Sequence, residues 1–419
     1  MEVLFVNVGY FPLIGGGELY IKELAERLVG DGHSATVLTT DAAEPEYLWL
    51  RGKKRVATAQ EVIHGVKVRR FPVRHLPLLP YSYGLIRLLA AKLSKAPVDT
   101  TPFLSALTRL TPWVPGLERY LTTLDRRYDV VHAWSIPYES LIRAAALYAW
   151  RQGIPLVITP LLHLGEPGSD EVRRFYTMRH QLALLRQSDA VIVNTEIERD
   201  FLAMRGVDIH KIHIISPGVT LEMVTGGDAD RFRAHYGIKR PFVLYLGLVN
   251  YDKGAVHTVE AMRRLWQEGV KADLVIAGTI LEPFRNYWRT LPQADRRHCH
   301  LLGPIGEETK RDALAAASVL SLPSRTDSFG MVYLEAWANG LPVVGARAGG
   351  VPAVIADGED GYLVPFGDVA ALADRLACLL ADQTLAQRLG ESGRRKVMER
   401  YTWERAYAAT RAVYEAVSR

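Results

Sequence analysis

Cysteine is nearly absent: Cys299 and Cys378 are the only two in 419 residues. Two distant thiols make neither a disulfide framework nor a metal-ligand spacing, so a reducing cytoplasm is the expected setting. Long apolar runs are missing as well. No stretch approaches the roughly 20 apolar residues needed to span a bilayer. The opening Met1-Glu2-Val3-Leu4-Phe5-Val6-Asn7 has no basic region, and its apolar run is too short for a signal peptide. There is no low-complexity tract, short-period repeat, Walker lysine motif or zinc spacing. Charge of one sign is scarce. The net +5 suits an anionic ligand or an anionic membrane surface but decides nothing alone. No nucleic-acid partner is expected.

What is present is an ordinary globular balance, 48% apolar and 23% charged. A chain of 419 residues is too long for one compact core, and two domains of about 200 residues each are expected. The N-terminal stretch reads strand, glycine loop, helix. Val3 to Val8 is an apolar, branched run followed by Gly15-Gly16-Gly17. Glu18 then opens a helix with Leu19, Ile21, Leu24, Ala25 and Leu28 at helical spacing. Gly30 and Gly32 end it, and a second strand covers Ala35 to Thr40. A βαβ unit implies a parallel sheet covered on both faces. Asp41 to Arg127, rich in Pro, Arg and aromatics, reads as an irregular elaboration. Alternation then resumes, with strands at 128–133, 155–159, 190–194 and 212–215 and helices at 139–152 and 171–186. A second set starts at Pro241, with strands at 242–246, 273–277, 300–302, 319–322, 342–344 and 361–364. The expected class is α/β: two Rossmann-like doubly wound domains, 1–215 and 216–400, facing across a cleft, with a linker near Ser216 to Asp230. Residues 401–419 form a C-terminal helix that can pack back on the first domain.

In open parallel sheets ligands bind at the carboxyl ends of strands. The informative segment follows the strand 319–322 and runs from Pro323-Ser324-Arg325-Thr326-Asp327-Ser328-Phe329-Gly330 into Met331-Val332-Tyr333-Leu334-Glu335. Ser328 is the expected N-cap of the helix that follows, whose free N–H groups and positive dipole end suit a phosphate. Glu335 lies about 12 Å beyond Asp327 at about 1.5 Å per residue. One carboxylate can then reach a sugar and the other a ribose across a diphosphate. Glu335 also sits in an apolar run, where a buried carboxylate needs partners. Spacing alone leaves open whether it holds a ligand or closes a structural network. Asp228-Ala229-Asp230 has the form of a metal-binding Asp-x-Asp but falls in the expected linker, where a solvated loop is the simpler reading. The N-terminal glycine run lacks G-x-G-x-x-G spacing, so it does not by itself argue for NAD.

The segment 323–340, continued by Leu341-Pro342-Val343-Val344 and Gly349-Gly350-Val351-Pro352, resembles the signature of retaining glycosyltransferase family 4, whose members have the GT-B fold. That pattern is an acid, seven residues and a glutamate, with Phe-Gly inside it and Gly-Gly after the next strand. The resemblance spans the chain, including Gly15-Gly16-Gly17, Gly32-His33, Lys253-Gly254 and Gly303, and is weakest over Asp41 to Arg127. It implies that the N-terminal domain serves the acceptor and the C-terminal domain the nucleotide-sugar donor. It implies further that Glu335 holds the ribose, Asp327 the donor sugar, and the amides near Ser328, Phe329 and Gly330 the diphosphate. Lys253 would neutralise phosphate charge and Ile305 would pack the base. Gly16 and Gly17 would approach the diphosphate from the other domain. His163 falls near the family's active-site histidine, although a lone histidine is more often structural. Three positions depart from the pattern. Asp327 stands where Glu is usual, Leu248 follows Gly247 where Arg is frequent, and Ala353 follows Pro352 where Glu is frequent.

The expected activity is metal-independent, retaining transfer of a sugar from a UDP- or GDP-linked donor, with no cofactor. The acceptor hydroxyl would belong to a glycan, a lipid or a small molecule. Asp327, His163 and Lys253 are the expected catalytic set. Rival readings are a non-catalytic nucleotide-sugar-binding protein and an epimerase or hydrolase on the same fold, with a nicotinamide dehydrogenase more distant. Tyr83 to Arg127 interleaves apolar residues with Arg87, Lys92, Lys95, Arg109, Arg119, Arg126 and Arg127. Such a surface suits peripheral contact with an anionic membrane as well as it suits ordinary solvation.

Overall fold

The computed structural model describes residues 1–13, 15–76 and 81–419. The chain divides into two compact units. The first contains Met1–Leu162, Asp170–Ile215 and Ala406–Arg419, and the second His163–Ser169 and Ser216–Arg405.

The first unit is built on eight strands: β1 (Glu2–Val6), β2 (Ser34–Thr40), β3 (Gln60–Ile63), β4 (Val66–Phe71), β5 (Val130–Trp134), β6 (Leu156–Thr159), β7 (Ala190–Val193) and β8 (Ile212–Ile214). Their order is β3-β4-β2-β1-β5-β6-β7-β8. All neighbours are parallel except β3 and β4. The fully buried β5, β6 and β7 are runs of apolar and branched residues, as a sheet covered on both faces requires.

The stretch 41–127 is more ordered than its composition implies. β3 and β4 form a hairpin whose two-residue turn, His64-Gly65, has φ of 47° and 83°. That is the mirror-image turn that matches strand twist. β4 then extends the sheet beside β2. Helices Tyr81–Leu93, Thr101–Leu107 and Pro115–Thr123 also lie in this stretch. The helix expected over 171–186 is broken into a 3₁₀ turn, Arg173–Phe175, and a helix, Arg179–Gln187. Met178 is extended at the break, and its N–H donates to the Gln181 carboxamide at 2.7 Å. The interruption frees the Phe175 carbonyl to accept from Arg87 at 2.8 Å.

The C-terminal helix Trp403–Val417 contributes its last turns to the first unit. There Tyr414 Oη meets His132 Nδ1 at 2.5 Å, while His132 Nε2 meets Thr159 Oγ1 at 2.8 Å. Burial pushes the His132 imidazole down to about 3, so the bridge is neutral.

The second unit carries six parallel strands: β9 (Phe242–Leu246), β10 (Asp273–Ala277), β11 (Cys299–Gly303), β12 (Val319–Leu322), β13 (Val343–Ala346) and β14 (Gly361–Val364). Their order is β11-β10-β9-β12-β13-β14. The strand sequence therefore reverses between β9 and β12, which pair through Val243–Val319 and Leu244–Leu320. Ligands of open α/β sheets bind outside the carboxyl ends of strands at such a reversal. Asp228-Ala229-Asp230 is not a linker loop. Asp228 caps the helix Ala229–Tyr236, its side chain accepting from Arg231 N, and its own N–H donates to Asp312 at 2.7 Å. Among the described residues, no helix is long and apolar enough to cross a membrane.

Candidate active site

Two loops meet at the reversal point of the second sheet, Gly247–Gly254 after β9 and Pro323–Gly330 after β12. Their close approach depends on glycine. Gly254, with φ of 80°, caps the helix Ala255–Gln267, and a Cβ there would lie 2.3 Å from the Pro323 carbonyl oxygen. Lys253 is held just before it, its N–H donating to Asn250 Oδ1 at 2.8 Å. Its ammonium donates to Asp327 Oδ1 at 2.7 Å and to the Thr326 carbonyl at 2.9 Å.

Asp327 is thus the anionic half of a sheltered ion pair. Burial pushes its carboxyl up, but the Lys253 ammonium, together with Ser324 and His163, holds it below the usual carboxylate range. Its second oxygen, Oδ2, is buried with no hydrogen-bond partner. An ionised oxygen in that state is a strong acceptor awaiting a donor.

The helix that follows is Met331–Ala338, and its N-cap is Gly330, not Ser328. Gly330 has φ of 89°, and a Cβ would sit 2.4 Å from the Tyr333 ring. Only glycine turns the chain there, which moves the helix start two residues beyond Ser328. Phe329 is buried edge-on against Tyr401 at 5.4 Å. The Gly349-Gly350 turn after β13 closes on the loop, with Gly350 N donating to the Asp327 carbonyl at 3.0 Å.

Glu335 is buried one turn into this helix, and its partner is Lys310, with Nζ to Oε1 at 3.1 Å. Burial pushes the Glu335 carboxyl up, with Lys310 offsetting part of that. Lys310 comes from the helix Glu307–Ala316 after β11 and also pairs with Glu307 at 2.7 Å. Half-buried Ile305 packs against the core at the start of the same connection.

His163 belongs to the second unit although it follows β6 of the first. Burial and, secondarily, the Lys253 charge push its imidazole down to about 3, with Asp327 opposing. It is therefore neutral at physiological pH. The turn before it is held by Glu198, whose buried carboxylate accepts from Leu162 N at 2.9 Å and Asn194 N at 2.8 Å. Leu161 at the turn has φ of 49°.

Gly16 and Gly17 lie in the other unit. They are not a loop but the first residues of the helix Gly16–Gly30, capped by extended Gly15. A Cβ on Gly17 would meet Leu161 Cδ1 at 2.9 Å. At the position of the missing arginine, the Leu248 carbonyl accepts from Tyr245 Oη at 2.8 Å. Arg325 does not stand open to an anion: it pairs with Glu166 at 3.0 Å and Asp252 at 2.9 Å.

The second unit therefore gathers Lys253, Asp327 and His163 within electrostatic reach, with Glu335, on the helix that follows Asp327, paired to Lys310 from the helix after β11. Lys310, Asp252 and Glu166 were not identifiable beforehand, since each meets its partner across long stretches of sequence. Among the described residues, no three His, Cys, Asp or Glu side chains converge as metal ligands would.

The profile of the family described as "Glycosyl transferases group 1" matches residues 228–396. That of "Glycosyl transferase 4-like domain" matches residues 15–218. The chain is 29% identical over 426 aligned positions to a D-inositol 3-phosphate glycosyltransferase of Xylanimonas cellulosilytica, covering 96% of this chain and 91% of that one. Among solved structures, it is similar to sucrose-phosphate synthase from Thermosynechococcus elongatus, at 22% identity and a TM-score of 0.72, covering 99% and 98% of the two chains. It is also similar to HepE from Anabaena, solved in complex with UDP, at 18% identity and a TM-score of 0.70, covering 99% and 100%. The two α/β units are those of the GT-B fold. The chain belongs to glycosyltransferase family 4 and is a glycosyltransferase.

Proposed function

We propose that the chain transfers a sugar from a nucleoside-diphosphate donor to an acceptor hydroxyl, with retention of configuration and without a metal. The observation that carries this reading is the Lys253–Asp327 pair at the strand reversal, beside a helix start with no acidic residue in its first turn. In the donor complex Lys253 stays paired with Asp327 and gives its third ammonium N–H to the phosphates. The amides from Ser328 to Gly330 supply further positive potential, a fixed electrostatic environment for the leaving group. Asp327 then orients sugar hydroxyls and Glu335 the ribose, with Ile305 against the base. Neutral His163 meets the sugar as a hydrogen-bonding group. As the glycosidic carbon gains oxocarbenium character, the acceptor hydroxyl adds on the face that the diphosphate leaves. That phosphate takes the hydroxyl proton. The solved complexes of HepE with UDP and with UDP-glucose support a UDP-linked donor. The names of relatives put D-inositol 3-phosphate first among acceptors to try.

The test is product analysis with UDP- and GDP-hexoses and candidate acceptors. We expect an anomeric configuration matching the donor by NMR, and a rate unchanged by a chelator. An inverted product, or loss of activity restored by manganese, contradicts the corresponding part.

Exposed Leu85, Leu88 and Leu89 share one face of the helix Tyr81–Leu93, near exposed Val98 and Phe103, with Lys92 a turn further on. This favours peripheral contact with an anionic, cytoplasm-facing membrane surface. The basic complement is smaller than the sequence implies. Arg87 is bound to two carbonyls, Arg109 to Glu118, Arg126 to Glu2 and Lys95 to Asp170. Weak, salt-sensitive binding to anionic vesicles is expected. Equal binding to neutral vesicles contradicts it.

A further inference from the structure

The segment His163–Ser169 packs with the second unit, and two contacts fasten it there. Gly349 N donates to the Gly165 carbonyl at 2.8 Å, and Arg325 pairs with Glu166 Oε1 at 3.0 Å. Arg325 is itself fixed from other sides. Its Nε donates to Asp252 Oδ1 at 2.9 Å, and its guanidinium lies over the Phe366 ring at 4.9 Å. One oxygen of Glu166 is thereby fixed. The other, Oε2, is buried and has no hydrogen-bond partner.

Asp327 repeats this arrangement: Oδ1 is held by Lys253, and Oδ2 is buried and unpartnered. The two residues adjoin one turn, since Gly349 N binds the Gly165 carbonyl while Gly350 N binds the Asp327 carbonyl at 3.0 Å. A buried acceptor left without a donor costs about 1–3 kcal/mol. Both carboxylates belong to residues tied to one glycine turn, each has its other oxygen pinned by a cation, and each unpartnered oxygen is an acceptor that a hydroxyl donor would satisfy. Ionised carboxylates repel further negative charge.

We propose that Glu166 is a specificity-determining residue, whose Oε2 accepts a hydroxyl of the donor sugar beside Asp327 Oδ2 and so selects a neutral hexose over a hexuronic acid. This rests on the nucleotide-sugar reading above. Arg325 is a positioning residue: it holds Glu166 and carries no phosphate.

Calorimetric titration of the full chain with UDP, GDP, their hexose derivatives and UDP-glucuronic acid tests the assignment. In the parent, the best nucleotide hexose should bind more tightly than its nucleoside diphosphate. Glu166→Gln keeps the bond to Arg325 but replaces the free oxygen with a donor. It should leave nucleoside diphosphate affinity within about twofold while weakening the nucleotide hexose about tenfold or more, the loss of a hydrogen bond to a charged group. It should also narrow the gap between hexose and hexuronate donors. Retained nucleoside diphosphate affinity shows that the variant is folded. Should it be lost, Glu166→Asp supplies the same comparison with the carboxylate kept. Equal weakening of nucleoside diphosphate and nucleotide hexose in both variants, or no change in either ligand, overturns the role of Glu166 and leaves the donor reading standing. A parent that binds no nucleotide overturns both.

Discussion

The first helix after β1 and the helix after β12 occupy comparable places, each beyond a strand flanking the reversal of its sheet, between β1 and β5 or between β9 and β12. Their local chemistry differs. In the first unit Glu18 lies in the opening turn and its carboxylate accepts from Gly15 N at 3.1 Å, so the helix start is already supplied with a negative group. In the second unit the opening turn of Met331–Ala338 has no acidic residue, its cap is a left-handed glycine, and the Lys253 ammonium stands nearby. The first start carries its own acidic residue, whereas the second has none in its opening turn. Topology offers both ends as sites, and the proposed function takes the second for the anion because of its side-chain charge.

The sharpest way to break this contrast is charge removal on each side. Lys253→Ala should weaken nucleoside diphosphate binding by about 10- to 150-fold, the range for a hydrogen bond to a charged group. Glu18→Gln keeps the cap in the first unit and should change that affinity by less than about threefold. Equal losses in calorimetric titration would end the assignment of the diphosphate to the second unit. The two carboxylates of the second unit should also separate. Asp327→Asn should slow transfer by up to about 100-fold through misorientation of the sugar. It should spare nucleoside diphosphate binding, because Lys253 is released from its partner. Glu335→Gln should weaken nucleoside diphosphate binding itself, by about fivefold, through the ribose. If Asp327→Asn loses nucleoside diphosphate as badly as Glu335→Gln does, the division between sugar and ribose is wrong.

The glycines sharpen the comparison at lower energy. Gly330→Ala places a Cβ against the Tyr333 ring in a backbone with φ of 89°, so unfolding in urea should show a loss of about 1–3 kcal/mol. Gly17→Ala meets only the end of the Leu161 side chain and lies within a helix, where alanine is favoured. Its loss should stay below about 1 kcal/mol. Similar losses at the two positions would mean that the second helix start is no more constrained than the first.

The legible parts of this molecule are those whose physics is local. β9, β10, β12 and β14 are short buried runs, and their limits are those read from hydrophobicity. The segment 323–335 is legible as a candidate site because acid, glycine and helix follow one another directly. β3 and β4 were not legible. Lys67 and Arg69 alternate with buried neighbours in β4, but in β3 exposed Val62 has only half-buried neighbours, and the pattern lies among prolines and arginines that mask it. Capping preference favours Ser328, whereas the contact with Tyr333 demands glycine and sets the N-cap at Gly330. Lys310 with Glu335, and Arg325 with Glu166, depend on connections between strands far apart in sequence, and no spacing rule reports them.

The smallest expected effect concerns pH. His163 has its imidazole pushed down to about 3, chiefly by burial and then by Lys253, against about 6.5 in an unfolded chain. Between those values the unfolded chain binds a proton that the folded one does not. The contribution of His163 to stability is therefore intact above pH 6.5 and is lost as pH falls toward 3. Over the range from about 5.5 to 8 the imidazole of the folded chain is expected to stay neutral, so no role as a charged acid is expected of His163 there. His163→Asn should lower the rate by a similar factor at every pH in that range, leaving the shape of the pH–rate profile unchanged. A limb near pH 6.5 in the parent that disappears in the variant would show that His163 titrates during turnover. The electrostatic contrast between the two helix starts would then need a proton, as well as Lys253, on the side of the second unit.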